Sequence, residues 1–233
     1  MPDADSVEIT VGELVDELRR GVRCALQVRH AERTKIDPAD VSFGEAIPIT
    51  PDGERAAIRL GEMLAGVGCG VSFVSSPHRR TLMTARCIAR GMGLDGAEVA
   101  PEPRLGNGTF YFADRMAVYE TFRDEGFFDS CFRYFRAGEL PGFGGLHEAS
   151  DALEGWLVDK MGSAGLLVAV THDSHIAAFL AAKAGVEFSR DNWPRFLDGA
   201  AVLLRPDGSK RYALVRAGLS DAICGIDSQP AGK

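Results

Sequence analysis

The sequence predicts an α/β fold, a three-layer α/β/α sandwich with a mostly parallel mixed sheet and a helical insertion. Three observations predict it. Short apolar runs at Cys24 to Val28, Val71 to Val74 and Leu166 to Val170 suit buried strands. Helix-like stretches stand between and after them, as parallel strands require. Near the end, Ala200 to Leu204 and Arg211 to Val215 flank Pro206-Asp207-Gly208-Ser209, a hairpin signal that adds an antiparallel pair. The chain of 233 residues is long enough for one large domain, read as spanning 1–233.

Taken in order, Val11 to Arg20 reads as a short helix with Leu14, Val15 and Leu18 on one face. The first strand, Cys24 to Val28, follows. Thr50-Pro51-Asp52-Gly53-Glu54 is a helix start, with Thr50 as N-cap and Pro51 in the first turn, and its helix runs to about Leu64. The second strand leads into a helix from about Arg79 to Arg90. The third leads into an Ala-rich helix over His175 to Ala184. Residues 101–150 differ. They concentrate aromatics, among them Phe110, Tyr111, Phe112, Phe122, Phe128 and Phe132, between Gly and Pro punctuation. This stretch reads as a mainly helical insertion covering one edge of the sheet. Its rings pack its helices together, and the segment as a whole is a candidate lid.

Composition excludes several classes. Apolar residues at 45% and charged residues at 25% are the balance of an ordinary globular protein. No apolar run approaches the roughly 20 residues that cross a bilayer, so no membrane partner is expected. Met1 to Thr10 carries acids and no apolar core of a secretory signal. Five cysteines, scattered and without CxxC spacing, point to reduced thiols and a cytoplasmic setting rather than a disulfide frame or zinc knuckle. A net charge of -7 argues against nucleic acid as a partner. A local arginine cluster can still outweigh that charge for a small anion.

Such a cluster is written at the strand ends. The first strand runs into Arg29-His30-Ala31-Glu32-Arg33, the second into Ser75-Ser76-Pro77-His78-Arg79-Arg80, the third into Thr171-His172-Asp173. Open α/β sheets bind ligands beyond the carboxyl ends of their strands. If the three strands are parallel neighbours, guanidiniums and imidazoles converge on one crevice. A phosphoryl group in transfer spreads charge over three equatorial oxygens, which several Arg forks match. Histidine can carry such a group covalently, and its neutral imidazole is available near pH 7.

Arg29-His30-Ala31-Glu32 resembles the Arg-His-Gly-Glu signature of the histidine phosphatase (phosphoglycerate mutase-like) superfamily, with Ala for Gly. Ser75 to Ala85 resembles its second block, whose Arg stands four residues before Thr-Ala; that register selects Arg80 over Arg79. Thr171-His172-Asp173 resembles the block that carries the second histidine. Ile49-Thr50-Pro51-Asp52-Gly53 is similar to the family's Leu-Thr-x-x-Gly segment. The resemblance implies a phosphatase acting on a phosphate monoester, with His30 as nucleophile, Arg29, Arg33, Arg80 and His172 on the phosphoryl oxygens, and a carboxylic acid as proton donor. For the donor, Asp173 fits the acid-phosphatase-like branch, as does the Arg29-His30-x-x-Arg33 spacing. Glu102 is the nearest counterpart in the mutase-like branch. No metal or other cofactor is implied: His172 and His175 form an H-x-x-H pair, but arginines in the same pocket repel a divalent ion. The expected partner is a small phosphorylated molecule or a phosphoprotein. The rival functions are a phosphomutase and a phosphate-binding module without catalysis.

Other residues receive plainer readings. Arg79 reads as a solvated helix residue, His175 as a helix-face residue packing beside the site, and Thr171 as a strand end. His78 precedes a helix as a cap or a substrate contact, His147 and Glu148 begin a surface helix, and Asn107 is placed near the pocket.

Overall fold

The computed structural model describes residues 7–37, 39–106 and 110–220. Its strands are β1 (Glu8–Thr10), β2 (Arg23–Arg29), β3 (Val71–Ser75), β4 (Val99–Pro101), β5 (Leu166–Thr171), β6 (Gly199–Leu204) and β7 (Lys210–Arg216), in the spatial order β1-β7-β6-β2-β5-β3-β4. β2, β5 and β3 are parallel neighbours at the centre, and β6 runs antiparallel to both β2 and β7. The sheet is therefore mixed and mostly parallel, as the sequence predicts. β1 and β4 were not foreseen; at three residues each they are too short to show a period.

The central strands are apolar throughout because both their faces are covered. Leu26, Val28, Leu166, Val168 and Val170 point into a core shared with α1 (Val11–Arg19), α2 (Pro51–Leu64) and α3 (Arg79–Gly91). Ala25, Leu167 and Ala169 point the other way, towards α6 (Leu146–Met161) and α7 (Asp173–Ala184). This is the predicted three-layer sandwich. Thr10 closes a capping box on α1 with Glu13. Thr50 caps α2, its hydroxyl accepting from Gly53 N at 3.0 Å, with Pro51 in the first turn.

The insertion requires a correction. Its helices, α4 (Arg115–Glu125) and α5 (Phe127–Ala137), do not cover an edge of the sheet. Tyr111, Phe112, Tyr134 and Phe143 join one core with Ala25, Leu167 and Ala169 on a sheet face. Alanines on the strands leave depth above the sheet, and large rings fill it. Among the described residues, no helix is long and apolar enough to cross a membrane.

Candidate active site

The three predicted clusters meet because β2, β5 and β3 end in register. Arg29 lies opposite Thr171, and Ser75 opposite Val170. The stitching continues one residue past each strand: His30 N donates to Thr171 O at 3.0 Å, and Ser76 N to Val170 O at 3.0 Å. The His30 and His172 rings consequently lie 5.6 Å apart, centroid to centroid. The loop that follows β2 is pinned from two helices. Ala31 N donates to the Thr84 hydroxyl of α3 at 3.0 Å. Thr50 N at the start of α2 donates to Glu32 O at 2.8 Å, and its hydroxyl reaches the Glu32 carboxylate at 3.2 Å. Gly53 is needed there, since an added Cβ would sit 2.6 Å from Glu32 O.

His30 is buried, and its Nδ1 lies 2.8 Å from Ala31 O. A carbonyl only accepts, so Nδ1 carries the proton and Nε2 keeps its lone pair. Burial, followed by the charges of Arg80, Arg29 and Arg33, holds the His30 pKa well below its ordinary 6.5. The imidazole is neutral at neutrality and competent to attack.

Arg29 sits in a cradle made by residues 193–198. Its NH1 donates to Pro194 O at 2.6 Å, its guanidinium lies 4.2 Å from the centre of the Phe196 ring, and its backbone bonds Leu197 N and Asp198 O. Its NH2 is 3.1 Å from Asp173 Oδ2. Arg80 is equally buried: NH1 donates to Gly44 O at 2.6 Å, and NH2 approaches His172 Nδ1 at 3.3 Å. Burial and then Arg33 push the Arg80 pKa down to about 9, which still leaves it charged at neutrality. Arg33 is buried, with NH1 on Thr34 O at 2.8 Å.

His172 has protein partners on both ring nitrogens. Because Arg80 can only donate, Nδ1 accepts, and Nε2 donates to the Ser76 hydroxyl at 3.1 Å. Desolvation first, then Arg80 and the neighbouring imidazoles, keep His172 neutral. Asp173 opens α7 and lies between Arg29 and Trp193, whose indole Nε1 donates to Oδ2 at 3.1 Å; Ser174 N donates to Oδ1 at 3.0 Å. Among the described residues, no group of three or more His, Cys, Asp or Glu is arranged to hold a metal ion.

All six predicted site residues, Arg29, His30, Arg33, Arg80, His172 and Asp173, come together beyond the carboxyl ends of β2, β3 and β5. Arg79 is exposed, as read from sequence. Glu102 turns away: Arg104 grips both its carboxylate oxygens, at 2.8 and 2.9 Å, and those bonds lower its pKa. Asn107 lies outside the described residues. His78, read from the sequence as a cap or a substrate contact, is the N-cap residue of α3 but makes no cap bond with its side chain; its ring stands 4.7 Å from that of His172, and burial pushes its pKa down to about 3. Ser76 was quoted within a motif but given no part, although its hydroxyl joins His172 to Thr81. Trp193, Pro194 and Phe196 carry no motif, and the sequence marks the stretch from Trp193 to Asp198, like residues 101–150, only as a place where substrate-choosing residues are expected.

A buried ring of guanidiniums around two neutral imidazoles at the ends of parallel strands defines a phosphoryl-transfer class of α/β protein. The comparisons name the family. The sequence model of the histidine phosphatase superfamily (branch 1) matches residues 26–216, and the chain belongs to that superfamily. The match is to branch 1, so the Arg29-His30-x-x-Arg33 spacing does not place the chain in the acid-phosphatase-like branch. Asp173 therefore stands on its geometry alone. No curated protein matches. Among solved structures the chain is similar to a mycobacterial glucosyl-3-phosphoglycerate phosphatase (18% identity, 83% of this chain and 97% of that one, TM-score 0.55). It is also similar to a phosphoserine phosphatase from Entamoeba histolytica (19%, 83% and 97%, TM-score 0.56) and to a phosphoglycerate mutase from Bacillus anthracis (14%, 83% and 91%, TM-score 0.51). At these identities the likeness shows the shared fold.

Proposed function

We propose that the chain hydrolyses a phosphate monoester through a phosphohistidine on His30. The observation that carries this reading is the joined ends of β2, β5 and β3, which set His30 and His172 5.6 Å apart among Arg29, Arg33 and Arg80. His30 Nε2 attacks phosphorus, and the three guanidiniums take up the charge spread over the equatorial oxygens. As the ester P–O bond breaks, Asp173 passes a proton to the departing alcohol oxygen. In the second step Asp173 takes a proton from water, the water oxygen bonds phosphorus, the N–P bond breaks, and phosphate leaves. Asp173 is favoured over Glu102 because it contacts Arg29 within the cluster, whereas Glu102 is occupied by Arg104. His172 serves by aiming Arg80 and meeting the phosphoryl group beside it.

The substrate is a phosphorylated small molecule or a phosphoprotein. Phosphoserine and 3-phosphoglycerate, which figure in the names of two neighbours, are sensible first compounds beside a chromogenic aryl phosphate. A cytoplasmic setting agrees with free thiols at Cys24, Cys69 and Cys87.

The test is turnover of the aryl phosphate between pH 4 and 8 in EDTA, with acid quench to trap a phosphorylated protein. The wild type should release free phosphate and show an acid-labile adduct. His30→Ala should lose the adduct and on the order of 10³-fold or more in activity. Retained activity in His30→Ala, with no adduct in the wild type, would remove the mechanism.

A further inference from the structure

We infer that Trp193 is a positioning residue for Asp173, its indole N–H occupying carboxylate Oδ2 so that the transferable proton resides on Oδ1, and that the aromatic insertion acts on the chemistry through this bond. The inference rests on the reading of Asp173 as the acid–base group.

Trp193 is completely buried and caged by rings. Phe128, Phe127 and Phe132 meet it edge to face at 5.2, 5.8 and 5.8 Å, Phe135 stacks at 6.2 Å, and Phe188 closes the cage at 5.8 Å. An apolar cage of this kind has no use for a polar atom. Phenylalanine would fill it without burying a donor, and a buried indole N–H is costly unless it finds an acceptor. Here the acceptor is Asp173 Oδ2, at 3.1 Å. Four of the caging rings come from α5, so the insertion fixes the plane in which the N–H points.

The same short segment controls the other donor to that oxygen. Residues 193–198 hold Arg29 through Pro194 O, Phe196, Leu197 N and Asp198 O, and Arg29 NH2 also sits on Oδ2, at 3.1 Å. Oδ2 thus faces two N–H donors, and a proton added there would meet them head on. Oδ1 accepts one bond, from Ser174 N of its own helix, and keeps a lone pair for a proton. In the first step Oδ1–H is given up to the alcohol oxygen as the P–O bond breaks and the His30 N–P bond forms. In the second, Oδ1 takes a proton from water as the N–P bond breaks. The charged and titratable groups acting on Asp173 are Arg29 from β2, Arg80 from α3 and His175 on its own helix.

Trp193→Phe keeps a ring in the cage and removes the donor. The expected result is a fall in kcat of about tenfold with KM within about twofold, the signature of a contact felt in the transition state. The alkaline limb of the kcat profile should also move to higher pH, because a donor that favours the ionised carboxyl has gone. A packing role alone would lower the melting temperature and leave that limb in place. In a cycle with Asp173→Asn, the double variant should be no slower than Asp173→Asn. Wild-type kcat and an unmoved limb in Trp193→Phe, or additive losses in the cycle, overturn the inference. If Asp173→Asn inactivates while Trp193→Phe behaves as wild type, the inference alone fails; if Asp173→Asn keeps full activity, the reading of Asp173 fails and takes the inference with it. Should Trp193→Phe not fold, Trp156→Phe leaves one of the chain's two indoles. Its ¹⁵N–H proton resonance should move upfield on adding Asp173→Asn, and an unmoved resonance overturns the inference.

Discussion

On one face of the sheet, α2 and α3 meet glycine against backbone: a Cβ at Gly61 would run into the Ile88 carbonyl, and one at Gly91 into that of Ile58. On the other face, the insertion packs ring on ring around Trp193 and over the alanines of β2 and β5. Each face supports one end of the site. The close-packed face delivers Arg80, the Thr84 tie to Ala31 and the Thr50 tie to Glu32, which together fix the end to which the proposed mechanism gives the phosphoryl group. The aromatic face delivers the Trp193 contact to Asp173, the end to which the proposed mechanism gives proton transfer. Backbone against backbone permits no adjustment, whereas rings can shift and refill. The phosphoryl end should therefore be the less forgiving of the two.

Arg80→Lys tests that end most severely. Arg80 uses NH1 on Gly44 O and NH2 on His172 Nδ1, and still has edges to present to an anion. A single ammonium cannot keep both protein contacts and grip a phosphoryl group bidentately. We expect kcat/KM to fall about 10²–10³-fold in steady-state assays, with circular dichroism and melting temperature close to wild type. A loss within about threefold would assign the grip to Arg29 and Arg33 and break the proposed division.

A matched pair of packing variants compares the faces directly. Gly61→Ala drives a methyl into the Ile88 carbonyl, which cannot rotate away, so α2 and α3 must separate. The expected cost is about 2–3 kcal/mol in urea unfolding. Phe128→Leu on the aromatic face leaves Phe127, Phe132 and Arg190 able to close in around the smaller side chain. It should cost roughly 1–2 kcal/mol. Equal costs would mean that the two faces are equally rigid.

The legibility of the two faces differed in the same way. β2, β3 and β5 could be read because burial on both sides makes them continuously apolar, and the clusters after them could be read because charge follows apolarity abruptly at Arg29, Ser75 and Thr171. Thr50 and Pro51 announced α2 through local capping chemistry, which needs no tertiary partner. The aromatic face resisted. A phenylalanine carries the same local signal whether it packs on its own helix or over a distant strand, so the insertion was placed on an edge instead of a face. Trp193 was equally opaque, because its meaning lies in a bond to Asp173, 20 residues away. His78 reads from position as a cap or a substrate contact, and it is the N-cap residue of α3. Its burial against His172 depends on β3 and β5 being neighbours.

Near neutral pH the smallest expected effect concerns His175, whose ring stands 5.8 Å from that of His172. Its Nε2 donates to Gly106 O at 3.1 Å, and the Tyr111 and Phe112 rings approach at 5.6 and 5.3 Å. Burial pushes its pKa down to about 4 from 6.5, against the upward pull of the Gly106 bond and Asp173. The unfolded chain therefore takes up this proton at a higher pH than the folded one. The stability His175 contributes is fully present above about pH 6.5 and is lost as the pH falls towards about 4, at up to ~1.4 kcal/mol per pH unit. His175→Gln keeps a donor for Gly106 O and removes the titration. Its urea-unfolding free energy should fall less steeply than that of wild type between pH 6.5 and 4, and the two curves should run parallel above pH 7. Parallel curves across the whole range would mean that His175 is protonated as easily in the fold as out of it. The aromatic face would then admit water up to the ring.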